Sequence, residues 1–217
     1  MSAASNTSNT IEKRLETAYF AFGRFQPPTL GHRAFFQVLA SNADSADVYI
    51  FPSSTQDGDK NPLSIEQKLY WLRKINGDLP VRFINTTSND CKNPAAVFYK
   101  LAEAGYKKIV MCVGSDRLAG FRGMLASLKA KPEFTSLDID VMLCGKERNM
   151  VGGISGTKVR TAATAGNVGK VAEYTGLSAT NAAALSEMIV SGTVAKGGVG
   201  AKARRGGKRK TRRFRRK

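Results

Sequence analysis

Five short runs of β-branched and aromatic residues alternate along the chain with longer segments whose apolar positions repeat at helical spacing. The runs are TAYFAF at 17–22, DVYIFP at 47–52, PVRFIN at 80–85, KKIVMCVG at 107–114 and LDIDVMLCG at 137–145. Connections of this length between strands are typical of a parallel sheet with helices on both faces. The pattern predicts an α/β domain with a doubly wound, five-stranded parallel sheet.

The helical segments also show where they begin and end. Ser64 followed by Gln67 is a capping box before IEQKLYWLRKI, and Pro94 and Gly105 stand where the next helix starts and stops. After the last strand, the pattern predicts C-terminal helices over 155–165, 168–174 and 181–191.

Charge divides the 217 residues into a nearly balanced body and a strongly basic end. The formal net charge is +17, and the segment 196–217 holds twelve Lys and Arg and no acidic residue. We therefore predict a flexible arm over 1–16, a folded domain over 17–192 and a disordered Lys/Arg-rich tail over 193–217.

No apolar stretch reaches the roughly 20 residues of a membrane helix, and the polar start lacks the apolar core of a secretory signal. These features indicate a soluble, cytoplasmic protein with no membrane partner. Cys91, Cys112 and Cys144 are odd in number and widely spaced, so we expect reduced thiols in the core rather than a disulfide or zinc framework.

The most informative segment is GRFQPPTLGH, from Gly23 to His32, between the first strand and the first helix. Ligands of open parallel sheets bind at this edge, and Gly23 would let a nucleotide approach the backbone. Thr29 and His32, the only histidine, lie three residues apart around the helix start. Their side chains are therefore expected to meet a phosphate above the helix N-terminus.

A second segment, ISGTKVR from Ile154 to Arg160, follows the last strand. Ser155 is a good N-cap, and Arg160 bears a forked guanidinium suited to phosphate oxygens. Two helix N-termini, one with His and one with Arg, would then converge on one polyphosphate.

The two segments resemble the signatures (H/T)xGH and ISSTxxR of the nucleotidyltransferase superfamily, which has a Rossmann-like fold. GRFQPPTLGH is most similar to nicotinamide-mononucleotide adenylyltransferases of the archaeal and bacteriophage type. KNPLSIEQKLYWL at 60–72 and VGSDRLAGF at 113–121 extend the resemblance over roughly residues 17–176. The chain departs from the family at Thr29, where the first motif often has His, and at Gly156, where the second has Ser.

The resemblance implies in-line attack by an acceptor phosphate on the α-phosphorus of ATP or CTP, with ATP and nicotinamide mononucleotide as the first candidates. Pyrophosphate would leave, and Mg²⁺ would be held mainly by phosphate and water rather than by protein ligands. The catalytic residues implied are His32, Thr29 and Arg160. The residues implied to bind the nucleotide are Gly23, Arg24, Phe25, Gly31, Gly114, Asp116, Ile154, Ser155, Thr157 and Lys158.

Several of these residues have a simpler interpretation beside the functional one. Asp116, a candidate for a ribose hydroxyl, is equally suited to cap the helix that follows it. Arg24 and Arg122 would contact phosphate or face water, and the same holds for the lysines at 60 and 158. Trp71 favours a core position over stacking on the acceptor.

The basic tail has three interpretations: a nucleic-acid-binding arm, a localisation signal, or a contact to an acidic protein surface. It also resembles basic tails of large DNA viruses, which would place the protein in a host nucleus or a virion. The main alternative to an enzyme is a non-catalytic nucleotide-binding protein whose tail holds nucleic acid. The sequence contains neither GxxxxGK[ST] nor a GxGxxG after the first strand, which disfavours a P-loop ATPase and a dehydrogenase. Relatives of this kind are often homo-oligomers, although the sequence identifies no interface.

Overall fold

The computed structural model, which describes residues 11–43, 45–144 and 153–197, contains one sheet of five parallel strands. The strands are β1 (Thr17–Gly23), β2 (Asp47–Pro52), β3 (Arg82–Phe83), β4 (Lys108–Val113) and β5 (Asp138–Leu143). Their order is β3-β2-β1-β4-β5, so the central strand β1 pairs with both β2 and β4. The predicted α/β fold class is confirmed.

Strand β3 is shorter than the run 80–85 predicts. Only Arg82 and Phe83 pair with β2, opposite Tyr49 and Ile50. Just before the strand, the Val81 amide donates to the Leu79 carbonyl at 2.8 Å and not to β2, and Pro80 has no N–H to donate.

Seven α-helices are described, and each lies where the apolar spacing predicts one. They are α1 (Leu30–Ser41), α2 (Ile65–Asn76), α3 (Pro94–Glu103), α4 (Leu118–Lys129), α5 (Gly156–Thr164), α6 (Val168–Thr175) and α7 (Ala179–Gly197). The capping box at Ser64 is present, with the Gln67 amide donating to Ser64 Oγ and the Ser64 amide donating to Gln67 Oε1. No helix in the described part of the chain is long and apolar enough to cross a membrane.

Helix α7 is longer than predicted and continues to Gly197, five residues into the segment assigned to the tail. Its inner face, with Ala182, Leu185 and Ile189, is fully buried against α5 and α6. The rest of the predicted tail, 198–217, lies outside the described residues, as do 1–10 of the predicted arm.

Apolar side chains fill both faces of the sheet and the space under the C-terminal helices. Phe20, Phe98 and Ile109 belong to the cluster on one face, and Phe36 and Ile50 to the cluster on the other. A third cluster joins α2 to the C-terminal helices, with Leu63 and Trp71 packed among residues of α5, α6 and α7. Trp71 is buried, with its Nε1–H 3.4 Å from Met188 Sδ, which confirms its core position.

Residues 11–16, which the sequence places in the flexible arm, are held by a buried carboxylate at the start of β2. Asp47 Oδ2 accepts hydrogen bonds from the amides of Arg14 and Leu15 at 2.8 and 3.1 Å, and from the Tyr106 hydroxyl at 2.6 Å. Arg82 forms an ion pair with Oδ1 of the same carboxylate. Residues 11–16 are therefore tied to the fold, although the sequence places them in the flexible arm.

The surroundings of Asp47 act on its pKa in opposite directions. Burial disfavours the charged carboxylate, but the hydrogen bonds from Tyr106, Arg14 and Leu15, together with the charge of Arg82, lower the pKa below its usual value. The charged form is thus part of the folded structure at neutral pH.

The cysteines differ from the prediction. Cys112 on β4 and Cys144 just after β5 are joined in a disulfide, with their Cα atoms 5.4 Å apart. The expectation of reduced thiols is wrong for these two residues, because the pairing of β4 with β5 brings together positions 32 residues apart in sequence. Cys91 is a free, buried thiol, and burial raises its pKa to about 11.

Candidate active site

The first motif forms the turn from β1 into α1, and its last four residues make a closed hydrogen-bonded unit. Thr29 is the N-cap of α1, and its Oγ1 accepts from the His32 amide at 3.3 Å. The Thr29 amide donates to His32 Nδ1 at 3.1 Å, and Thr29 Oγ1 lies 3.0 Å from the same nitrogen. The imidazole is thereby fixed against the helix start.

This geometry assigns the proton of the neutral His32 ring. A backbone amide can only donate, so Nδ1 acts as the acceptor and the proton belongs on Nε2. Thr29 itself is 1% exposed, which leaves its side chain little surface for a ligand. The structure therefore favours Thr29 as the residue that orients His32 over a direct contact of Thr29 with phosphate.

Phe25 turns back over the end of β1. Its φ of 45° lies in the left-handed region that non-glycine residues rarely adopt, and its buried ring packs edge-on against His32 with the centroids 5.1 Å apart. A Cβ at Gly23 would lie 2.7 Å from Phe25 Cζ. Glycine at position 23 is thus explained by the Phe25 ring, whereas the sequence suggested that it leaves room for a nucleotide.

The second motif begins α5 directly on this turn. Ser155 is the N-cap, as predicted, and accepts from the Lys158 amide at 3.3 Å. Arg160 donates through Nη1 to the Gln26 carbonyl at 2.5 Å and through Nη2 to Thr157 Oγ1 at 3.1 Å. A Cβ at Gly156 would lie 2.5 Å from the same Gln26 carbonyl oxygen, so the family's Ser would not fit here without movement of the backbone.

The two motifs also meet at the start of α1. A Cβ at Gly31 would lie 3.0 Å from the Ile154 carbonyl oxygen, which places the first turn of α1 against the residues that lead into α5. The sequence predicts that the N-termini of α1 and α5 converge, and these contacts show that the first and second motifs are neighbours.

Positive charge accumulates where the motifs meet. The pKa of Arg160 is lowered by burial and by the nearby charge of Arg24, while Asp57 acts in the opposite direction. Arg24 is exposed and Arg160 is partly exposed, so both positive charges are accessible from solvent. An anion bound near Arg160 would relieve this repulsion.

A cleft of about 520 Å³ opens beside Arg160. The cleft is shallow and open to solvent, and the predicted site residues that line it are Thr157 and Arg160. Four threonines, one arginine and one aspartate give the cleft its polar groups; its lining is Asp59, Thr157, Arg160, Thr161, Thr164, Ala165 and Thr193. The cleft thus extends from the second motif to α7 and to the loop that precedes α2.

Gly114 and Asp116 follow β4, next to β1, at the same edge of the sheet. Asp116 lies in a 3₁₀ turn over Ser115–Arg117, and Arg117 takes the N-cap position of α4 without a side-chain capping bond. Asp116 therefore lies in the turn that leads into α4 and not at its N-cap position. The ribose contact remains a prediction.

The other predicted basic residues lie on the surface. Arg122, Lys158 and Lys60 are all exposed. The Lys158 ammonium folds back over Gly153, where a Cβ would lie 3.2 Å from Nζ. Of these side chains, Lys158 is thus the one that the structure places within the second motif.

Sequence reasoning missed two residues of the site, Gln26 and Asp59. Gln26 lies inside the first motif, but its side chain bonds to Leu63, 37 residues away, which no local pattern reveals. Asp59 enters the site because its loop borders the cleft. Among the described residues, no group of three or more His, Cys, Asp and Glu side chains is placed to hold a metal ion.

Neither a scan of protein-family models nor a search of curated proteins finds a match to this sequence. Solved structures do match. Nicotinic acid mononucleotide adenylyltransferase of Plasmodium falciparum, complexed with APC, superposes with a TM-score of 0.53 and 12% identity over 80% of this chain and 97% of that chain. The same enzyme complexed with NaAD gives a TM-score of 0.48 and 12% identity over 68% of this chain and 84% of that chain.

A third match is a bifunctional NMN adenylyltransferase/ADP ribose pyrophosphatase from Francisella tularensis. Its TM-score is 0.49 at 14% identity, over 82% of this chain and 53% of the longer bifunctional chain. At 12% identity, the match with a TM-score of 0.53 demonstrates a shared fold. The chain therefore has the doubly wound α/β fold of the Plasmodium falciparum enzyme, in agreement with the fold class that its sequence pattern predicts.

Proposed function

We propose that this protein is a nucleotidyltransferase that moves the adenylyl group of ATP to a phosphorylated acceptor and releases pyrophosphate. The observation that supports this most directly is the meeting of the two motifs at the Gln26 carbonyl, which Arg160 contacts and on which α5 begins. This arrangement brings a histidine and an arginine, each near a helix N-terminus, to one edge of the sheet.

The chemistry requires little from the protein beyond placement and charge. An acceptor phosphate is already ionised at neutral pH, so its oxygen attacks the α-phosphorus without a general base. As the bond from the acceptor oxygen to the α-phosphorus forms, the bond from the α-phosphorus to the α–β bridging oxygen breaks. Pyrophosphate leaves on the side opposite to the attacking oxygen. Catalysis then rests on alignment of the two substrates and on donors that meet the charge of the transition state.

The proposed roles follow from the geometry of the motifs. His32 donates from Nε2 to an oxygen of the α-phosphate, and Thr29 holds the ring in that orientation. Arg160 and Thr157, which already share a hydrogen bond, face the β- and γ-phosphates together with Ser155 at the start of α5. Asp116 binds a ribose hydroxyl at the end of β4.

The donor set around the proposed triphosphate consists mainly of cations and hydroxyl groups, which suits phosphate oxygens better than a metal ion. A Mg²⁺ ion that arrives on ATP and keeps most of its water fits such a site. Asp59, on the cleft beside Arg160, is the carboxylate that would meet its hydration shell. When bound, the ion would neutralise charge on the phosphates.

Nicotinamide mononucleotide is the acceptor that we propose to test first. The sequence resemblance points to it, and the enzymes with the same fold are described as mononucleotide adenylyltransferases. Other phosphorylated acceptors, and CTP in place of ATP, are the alternatives within the same reaction class.

The test is pyrophosphate release with ATP or CTP, Mg²⁺ and a panel of phosphorylated acceptors. His32→Ala should lower kcat by about 10²–10³-fold, because a donor to the transition state is lost, and should lower Tm moderately, because the Thr29 amide loses its acceptor. Gln37→Ala, at an exposed position of the same helix, is the matched control and should retain activity. Absence of release with every pair, from protein that binds ATP, would refute the proposed reaction and favour a nucleotide-binding protein.

We propose nucleic acid as a further partner, on the basis of the twelve Lys and Arg residues between 196 and 217. Binding through such a segment depends on counterion release, so its affinity should fall steeply with salt. Titration of a fluorescent oligonucleotide with the full chain and with a chain ending at Gly197, which retains α7, tests this. Equal binding by both chains, or none at low salt, would favour a targeting role or an acidic protein partner.

A further inference from the structure

Gln26 contacts two separate segments of the site, one through its backbone carbonyl and one through its side chain. Its backbone carbonyl accepts from Arg160 Nη1 at 2.5 Å and lies against the first residue of α5, Gly156. Gln26 is one residue past Phe25, whose backbone takes a positive φ, so the direction of this carbonyl depends on a constrained turn.

The side chain of Gln26 makes a two-point contact with the backbone of Leu63. Nε2 donates to the Leu63 carbonyl at 2.6 Å, and Oε1 accepts from the Leu63 amide at 3.1 Å. Gln26 is 4% exposed, so water is largely excluded from both bonds. Leu63 is itself fully buried, in the cluster that includes Trp71 and Val159.

The loop before Leu63 is held together by its own hydrogen bonds. Asp57 Oδ1 accepts from the amides of Lys60 and Asn61 at 3.2 and 2.9 Å, and Asp57 Oδ2 accepts from Asn61 Nδ2 at 2.8 Å. These bonds brace the loop internally, and it is attached to the rest of the protein at Pro62, whose carbonyl lies against Gly192 of α7, and at Leu63. Because Asp59 belongs to this loop and lines the cleft with Arg160, the tie at Leu63 also sets one wall of the cleft.

We propose that Gln26 is the positioning residue of the phosphate site. Its carboxamide fixes the 57–63 loop, and its carbonyl orients the guanidinium of Arg160 on the opposite side. This inference rests on the proposed function, because the phosphate that Arg160 meets is part of that function. Loss of the carboxamide would leave the amide and carbonyl of Leu63 without these partners and release the turn that holds the Gln26 carbonyl.

The experiment is a double-mutant cycle on ATP affinity, measured by calorimetry for the unmodified chain, Gln26→Met, Arg160→Ala and the double variant. Methionine keeps the length of the side chain and removes both hydrogen bonds. Gln26→Met should weaken ATP binding about tenfold in the unmodified background and less than about twofold in the Arg160→Ala background. This non-additivity is a readout that a merely structural role of Gln26 would not produce.

The matched control is Gln37→Met, the same substitution at an exposed position of α1, which should leave ATP affinity unchanged. If Gln26→Met does not fold, Gln26→Asn replaces it, because the asparagine carboxamide is neutral and one methylene too short to make both bonds to Leu63. An equal loss of affinity in both backgrounds, or no loss in either, would overturn the role of Gln26 alone. Failure of the unmodified protein to bind ATP, or full affinity in Arg160→Ala, would refute the proposed function instead.

Discussion

Replacement of Lys68 by Met should change how the stability of the fold depends on pH. Lys68 lies on α2 with 0% of its surface exposed, and its ammonium donates to the Ser53 carbonyl at the end of β2. Burial lowers its pKa from 10.5 to about 8. A buried ammonium without full compensation costs stability, and the cost falls when the group loses its proton.

The sign and size follow from linkage between protonation and folding. The pKa of Lys68 is lower in the folded chain than in the unfolded chain, so between these values the unfolded state binds more protons and stability rises with pH. Each pH unit in this window adds about 1.4 kcal/mol to the free energy of unfolding. Lys68 should therefore raise the free energy of unfolding of the unmodified protein by about 2.5 kcal/mol between pH 7 and pH 10. Lys68→Met has no such group and should lack that gain.

The assay is urea denaturation followed by far-UV circular dichroism at pH 7 and pH 10. Lys74→Met is the matched control, because Lys74 is exposed on the same helix. The free energy of unfolding of Lys68→Met relative to the unmodified protein should drop by about 2.5 kcal/mol between the two pH values, while that of Lys74→Met should stay nearly constant. If the relative stability of Lys68→Met is the same at both pH values, the lowered pKa of Lys68 is refuted.

Three further predictions concern the fold. Asp47→Asn should lower the free energy of unfolding by about 3 kcal/mol at pH 7 in urea denaturation. Because the pKa of Asp47 is lowered in the folded chain, the contribution of its carboxylate to stability is lost as the pH falls through that folded-state pKa. A difference between the two proteins that is as large in acid as at pH 7 would contradict this prediction. Gly156→Ala should destabilise the chain and lower Tm, because the new Cβ would meet the Gln26 carbonyl oxygen. Gly123→Ala, where a Cβ has open space, should stabilise α4 by about 0.5–1 kcal/mol and raise Tm. Equal effects of the two variants on Tm would contradict the close contact at Gly156. Alkylation of denatured protein should label Cys91 alone before reduction and all three cysteines after it, as mass spectrometry would show; three labels without reduction would refute the disulfide.

The order and type of the secondary-structure elements were readable from the sequence because each depends on local signals. The capping box at Ser64 and the proline that begins α3 mark helix starts through bonds within one turn. The ends of elements were less accurate where tertiary packing decides them. Helix α7 continues to Gly197 although no local signal marks its end, and β3 is limited by its pairing at the edge of the sheet.

The candidate site was predicted as a set of motif residues but not as a set of contacts. His32 and Arg160 were identified because their residue types suit phosphate and their motifs are recognisable. The roles of Gln26 and Gly156 depend on a contact between segments 130 residues apart, which a single sequence does not encode in any local pattern. The disulfide escaped prediction for the same reason, because strand pairing creates it.

The end of α7 gives the basic segment a defined point of departure. Thr193 lines the cleft beside Arg160, and the helix ends four residues later at Gly197, about 6 Å further along its axis. Eleven more Lys and Arg residues follow in the chain. Because this segment is attached to the chain next to the proposed triphosphate site, its charge should accelerate the encounter with anionic substrates, an effect that dissolved salt screens. Because this field acts on approach and not on the bound complex, kcat/KM should fall with ionic strength while kcat stays nearly constant.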